Sequence, residues 1–345
     1  MTGPHRTGRD YRHLLRLSDD VGLFEHASGP LPRRAHGYCL DDVARGLVVL
    51  GHEPRLGPEL LRLQEILLAF TAHAQCGGSF HNRLGYDRRW RDRPGLGDWW
   101  GRALWGLGVT AARAGRRWVR VEATALFERA AEQRSPCPRA MVFAALGAAE
   151  LLADDPAHRP ARALLAAVVP AIGPIPVEFD WPWPEPRLRY ANAAVAEALI
   201  AAGSLLSDED ALADGLRMLD WLVTLQTHRG RLSVVPAHGW APGQGPPGFD
   251  QQPIEVAALA SACARAGSVT RETRWAAGVQ LALDWFLGAN DVGLPLADPD
   301  TGGCGDGLGA DGVSANQGAE STLALLSTCQ LAAHRIDTVS DAGAA

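Results

Sequence analysis

Twelve stretches of helical periodicity, joined by connections that are alternately long and short, limit what this chain can fold into more than any other feature. Apolar residues recur at helical spacing over 38–50, 57–74, 98–115, 117–133, 137–154, 158–170, 190–206, 208–227, 251–267, 270–289 and 316–335, and a short segment near 8–18 makes the twelfth. Connections into the helices at 38, 98, 190, 251 and 316 are long and polar, whereas those into 57, 117, 158, 208 and 270 are short. Helical hairpins set in a ring produce this alternation, because one face carries tight turns and the other carries the longer loops. The expectation is an all-α (α/α)6 toroid, six inner helices inside six outer ones. Short β-hairpins are confined to loops, with Leu232 to Pro236 the best strand and a small hairpin around Phe80 to Trp90. No linker divides the chain, so 1–345 reads as one domain with a disordered tail over 336–345.

Composition narrows the class of partner. A hydrophobic content of 47% with 21% charged residues suits a soluble protein with a large core. The 33 basic and 39 acidic residues give a net charge of −6, so nothing electrostatic invites nucleic acid. Met1 to Asp10 is polar and lacks the apolar core of a signal peptide, and no apolar run approaches the roughly 20 residues that span a bilayer. The six cysteines are spread widely without a C-x-x-C pair, which argues for reduced thiols and against structural zinc. A cytoplasmic location without membrane insertion is expected.

Polar clusters stand where long connections enter helices. In His36-Gly37-Tyr38-Cys39-Leu40-Asp41-Asp42 one carboxylate suffices to cap a helix, so the second is free to enter a pocket, with Tyr38 as a sugar-facing neighbour. Asp98-Trp99-Trp100-Gly101-Arg102 sets aromatics beside charges, which suits a sugar site: ring faces stack on indoles and hydroxyls take charged partners. Trp105 reads as core. Trp181 and Trp183 alternate with prolines in a loop and read as pocket wall. Asn192 opens the helix at 190, and Glu197, inside an apolar segment, either faces the pocket or pairs with an arginine.

Asp250-Gln251-Gln252-Pro253-Ile254-Glu255 is the sharpest cluster. A capping box from Asp250 is blocked by proline at 253, and Glu255 lies about a turn inside an apolar helix, facing either the ring interior or an unpaired position in the core. Asn316-Gln317-Gly318-Ala319-Glu320 repeats the pattern. Two carboxylates from separate elements facing one cavity are what glycosidic bond cleavage uses, so Glu255 and Glu320 are the first candidates, with Asp41 or Asp42 as an alternative base. Nucleotide-binding, zinc-protease and serine-hydrolase signatures are absent from the sequence. The aspartates between 291 and 311 do not follow calcium-loop spacing. Neither a metal nor a cofactor is expected.

Several of these segments resemble a known family. Asp20 to Ala27, Gly37 to Arg45, Asp87 to Trp90, Gly101 to Gly108, Tyr190 to Ala193 and Asn316 to Leu323 are similar to motifs of a bacterial six-hairpin glycosidase-like family, often labelled glycosyltransferase because the toroid can accompany such a domain. The resemblance implies an (α/α)6 barrel acting on an oligosaccharide or glycoconjugate, with Asp41, Asp42, Arg102, Asn192, Glu255, Gln317 and Glu320 at the pocket. Two motifs depart from the family pattern. An acidic-Asp-polar-His run becomes Gly97-Asp98-Trp99-Trp100, and Y-D-N-A-R becomes Tyr190-Ala191-Asn192-Ala193-Ala194. Hydrolysis or phosphorolysis of a glycosidic bond is the leading expectation. The alternatives are a sugar epimerase or isomerase using His238 and His36 as proton shuttles, and a carbohydrate-binding companion without catalysis.

Overall fold

Segments dense in alanine and apolar on every face go inside, while segments with one polar face pack around them. The computed structural model describes residues 9–177, 180–245 and 247–342, with side chains to 333. Helix α1 (Arg12–Arg16) is followed by the pairs α2 (Leu40–His52) with α3 (Pro58–Ala74), α4 (Asp98–Arg113) with α5 (Arg117–Ala131), and α6 (Pro138–Asp154) with α7 (Arg159–Ala166) and α8 (Val168–Ile172). Then come α9 (Ala193–Leu206) with α10 (Glu209–Gln226), α11 (Pro253–Thr270) with α12 (Thr273–Phe286), and α13 (Ala319–Ala342). Helices α2, α4, α6, α9, α11 and α13 each pack on the next, and α13 returns to α2, closing the inner ring. The outer partners surround it, with short α1 lying against α13 and α3 as the sixth. The fold is the expected (α/α)6 toroid.

Several details differ from the sequence expectation. Segment 158–170 forms two helices, α7 and α8, because Pro170 has no N–H to donate back across the break at Ala167. The strand expected at Leu232 to Pro236 shrinks to its first residue. Among the described residues the ten strands are β1 (Ala27–Ser28), β2 (Leu31–Pro32), β3 (Tyr38–Cys39), β4 (Gln75–Cys76), β5 (Ser79–Phe80), β6 (Arg83–Leu84), β7 (Thr227–His228), β8 (Arg231–Leu232), β9 (Leu308–Gly309) and β10 (Gly312–Val313). They pair antiparallel as β1–β2, β3–β6, β4–β5, β7–β8 and β9–β10. The segment Phe80 to Trp90 is thereby divided: Phe80 pairs back with Gln75, Leu84 faces Tyr38, and a single bridge joins Leu84 to Trp90. Helix α13 runs through 336–342, where a tail was expected; 343–345 lie outside the described residues.

A further difference concerns α6, whose short leading connection hides its place in the inner ring. Glycine makes that place possible. A Cβ on Gly101 would stand 2.1 Å from the carbonyl oxygen of Ala140, and one on Gly147 would stand 2.2 Å from that of Leu104. Helices α4 and α6 therefore touch backbone to backbone, a spacing that side chains forbid.

The inner helices run parallel, so their first turns share one end of the barrel and their last turns the other. At the far end an ion-pair network links five of them. Glu197 of α9 meets Arg265 of α11 at 3.0 Å, Arg265 meets Glu150 of α6 at 3.2 Å, and Glu150 also meets Arg113 of α4 at 2.8 Å and His52 of α2 at 3.8 Å. Burial alone would raise the Glu150 carboxyl, but His52, Arg265 and Arg113 outweigh it and hold the group well below the usual carboxylate range. All six cysteines are free, and among the described residues no helix is long and apolar enough to cross a membrane.

Candidate functional site

The first turns of the inner helices bring charges together at the near end. Cys39 is the N-cap of α2 and makes no side-chain cap, which leaves both Asp41 and Asp42 for other work. Buried Asp42 turns to Arg45 at 2.5 Å, and Arg45 also reaches Glu320 of the neighbouring helix α13 at 2.5 Å. Asp41 is oriented from the loop after β5: Asn82 Nδ2 donates to its Oδ2 at 3.0 Å, and the Asp41 backbone N–H donates to Asn82 Oδ1 at 3.4 Å. Its other side faces Arg102 of α4 at 3.3 Å, whose guanidinium lies 3.9 Å above the Phe143 ring. Asp98, the first residue of α4, accepts a bond from the Cys137 thiol at 3.7 Å.

Burial sets the protonation of these groups. It pushes the Asp42 carboxyl up to about 7; Arg45 opposes the rise and the charges of Glu320 and Asp41 add to it. Asp98 is raised for the same reason, with Arg102 opposing. Two connected cavities receive the set. An inner one of about 230 Å³ is lined by Asp41, Arg45, Asp98, Arg102, Tyr190, Gln252, Ile254 and Glu320. An outer one of about 310 Å³ shares Asp41, Arg45, Gln252 and Glu320 and adds Glu25, His26, Cys39, Asp42, Arg83, Asp306, Gly318 and Ser321. The ligand atoms of Glu25, Cys39 and Asp42 lie within 4.8 Å of one another, but Arg83 already pairs with Glu25 and Arg45 with Asp42.

Below the inner cavity the barrel continues as an apolar chamber of about 60 Å³. Helical spacing builds it in layers: Arg45, Arg102, Ile254 and Glu320 form its rim, and residues one turn deeper form its walls. Those walls are Val48, Val49, Trp105, Phe143, Ala194, Ala257, Ala258, Leu323 and Ala324, with Glu197, Ser261 and Ser327 beneath. Trp105, read as core, thus faces the chamber. Glu197 does both things open to it, lining the chamber and pairing with Arg265.

Of the residues singled out in the sequence, Asp41, Asp42, Asp98, Arg102, Gln252 and Glu320 meet around these cavities. Apart from Trp105 and Glu197, which line the chamber, the others line neither the two cavities nor the chamber. Tyr38 is buried, stacked on Phe24 at 4.8 Å, with its hydroxyl donating to Asp19. Trp99 donates its indole N–H to the Phe80 carbonyl. Trp181 and Trp183 pack with Trp221 of outer helix α10 instead of forming a pocket wall. Gln251 is buried between Trp285 and Asp291, and Gln317 bonds Thr301 and Asp298, each bracing a loop. Asn316 accepts from the Gly29 backbone. His238 and His36 are exposed; the His36 ring stands edge-on to His26, 5.0 Å away.

Glu255 takes no part in lining the cavities either. Asn192 donates to its carboxylate from the backbone N–H at 3.2 Å and from Nδ2 at 2.8 Å, and Arg139 binds the other end of the Asn192 amide at 3.2 Å. Arg139 also donates to the Tyr190 carbonyl at 2.5 Å and to Glu185 at 2.6 Å, clamping the loop that presents Tyr190 to the pocket. Burial pushes the Glu255 carboxyl up to about 7, against the Asn192 bonds. In the unfolded chain the group titrates near ~4.3. Between these values the folded state holds the extra proton, so stability falls as pH rises from 5 to 8. Glu255→Gln removes that dependence, and the variant is expected to gain on the parent over this interval in urea-unfolding midpoints. An equal difference at pH 5 and pH 8 would contradict it.

Arg45, Tyr190 and Arg139 are the site residues that the sequence did not single out. Arg45 had a signal, since it lies one turn from Asp41 and Asp42 on the same helix face. Tyr190 sat inside a noted motif but was passed over for Asn192. Arg139 had none, because the short connection before α6 concealed an inner helix.

No protein-family model matches this sequence, and no curated protein matches it. Solved structures do match the fold. A cellobiose 2-epimerase from Spirochaeta thermophila superposes with a TM-score of 0.69 at 16% identity, covering 94% of this chain and 93% of its own. A D-mannose isomerase gives 0.69 at 9% identity over 97% and 100%. A GH76 α-mannanase from Bacteroides thetaiotaomicron gives 0.62 at 11% identity over 95% of each chain. At these identities the likeness establishes a shared toroid.

Proposed function

We propose that the protein is a carbohydrate-active enzyme that hydrolyses a glycosidic bond, with the sugar ring held in the inner cavity. The supporting observation is that Asp41, Asp98 and Glu320, from three different inner helices, line one cavity together with buried Arg102 and half-buried Arg45. Asp98, whose carboxyl burial raises above its ordinary value, is the group assigned to donate a proton to the departing glycosidic oxygen. Glu320, its side chain 41% exposed and ion-paired to Arg45, accepts the proton of the attacking water. The bond to the leaving sugar breaks, the water oxygen joins the anomeric carbon, and a reducing end appears. Arg102 and Asp41 take hydroxyls as charged hydrogen-bond partners. The whole chain serves this pocket as one toroid, and the motif resemblance supports a bacterial protein that works beside glycosyltransferases; the polar stretch from Met1 to Asp10 supports a cytoplasmic setting.

Reducing ends released from an oligosaccharide panel, with and without phosphate, test this. Solvent deuterium entering a free sugar without any cleavage would replace hydrolysis by epimerisation, and tight oligosaccharide binding with neither reaction would leave a binding companion.

A further inference from the structure

We propose that the apolar chamber under the inner cavity is a subsite for a short aliphatic substituent, an alkyl or acyl group of two or three carbons, on the sugar bound above it. This rests on the carbohydrate reading of the pocket and adds a substrate feature to it. The chamber opens into that pocket, because Arg45, Arg102, Ile254 and Glu320 line both. Its walls suit a second sugar ring poorly: hydroxyls brought between Val48, Phe143 and Leu323 would lose water, with only the Ser261 and Ser327 hydroxyls at the floor to replace it. Beneath them, the Glu197 carboxylate is already engaged by Arg265.

Size narrows the occupant. An apolar cavity of about 150 Å³ holds the six carbons of benzene, so about 60 Å³ accommodates two or three. The space exists because alanines stand at 194, 257, 258 and 324, where larger side chains would close it. Protein interiors ordinarily fill such gaps, and this one adjoins a charged pocket.

The test uses Ala258→Leu and Ala324→Leu, each checked by thermal melting, and two neutral ligand series measured by calorimetry. One series is the methyl, propyl and hexyl 1-thioglycosides of glucose, mannose and galactose, which resist hydrolysis; the other is the N-acetyl, N-propionyl and N-hexanoyl hexosamines. In at least one series the three-carbon member is expected to bind more tightly than the shorter one, about tenfold for the two methylenes that propyl adds to methyl or about fourfold for the one that N-propionyl adds to N-acetyl, and more tightly than the six-carbon one. Both leucine variants should erase this preference, and the xenon-129 shift of xenon bound to the wild type should vanish with it. Absence of bound xenon in the folded wild type, or an unchanged length preference in the folded leucine variants, would overturn the proposal; xenon on the wild type decides even if one variant fails to fold. A length preference without hydrolysis of any glycoside would remove the hydrolase reading alone, and hydrolysis without a length preference would remove the chamber alone.

Discussion

Glu320→Gln and Asp98→Asn are each expected to lower kcat on a cleavable oligosaccharide by about 10³-fold, within the range that positioned acids and bases contribute. Sugar affinity should change little, because an amide keeps the shape and part of the hydrogen bonding of a carboxylate. Neither change threatens the fold. Glu320 is partly open to water, and Arg45 keeps Asp42 as a partner when the Glu320 charge is gone. The pH profile separates the two roles. Asp98 must be protonated in its role, so the alkaline limb of the bell belongs to it and should disappear in whatever activity Asp98→Asn retains, whereas Glu320→Gln should keep that limb. Full activity in both variants would show that the chemistry lies elsewhere, with Asp41 the next residue to replace.

Arg265→Met is expected to destabilise the protein by about 3–5 kcal/mol at pH 7, the usual cost of leaving a buried charge without its partner. The side chains of Glu197 and Glu150 are only 4% and 9% exposed, and both depend on Arg265. The loss should shrink in acid. A carboxyl held below its unfolded value stabilises the fold above about pH 4.3 and loses that contribution as pH falls through the depressed folded value. Glu150 behaves this way. Urea unfolding of parent and variant at pH 7 and pH 3.5 measures it, and the gap between them should narrow at the lower pH. A gap that is constant, or under about 1 kcal/mol throughout, would mean that water already screens the network.

The toroid was legible because period and loop length are local properties, written into each hairpin separately. Helix α6 escaped because its inner place depends on Gly101 and Gly147 admitting a neighbour's backbone, a fact about two helices at once. Half of the site was legible for a related reason. Asp41 and Glu320 stand in first turns at the open end, where side chains converge whatever the rest of the fold does. Glu255 occupies the same kind of place in sequence, yet the Asn192 amide and backbone receive it before it reaches the cavity. Trp181 and Trp183 gave a false signal because a proline-rich loop can bury its indoles against an outer helix as readily as against a ligand.

The charged floor that joins five inner helices makes the barrel interior a blind alley. A glycan chain cannot be threaded through the barrel, so whatever enters the inner cavity leaves by the same mouth. Competitive inhibition by the released sugar, tightening as the chamber is better filled, is the kinetic mark of such a cul-de-sac.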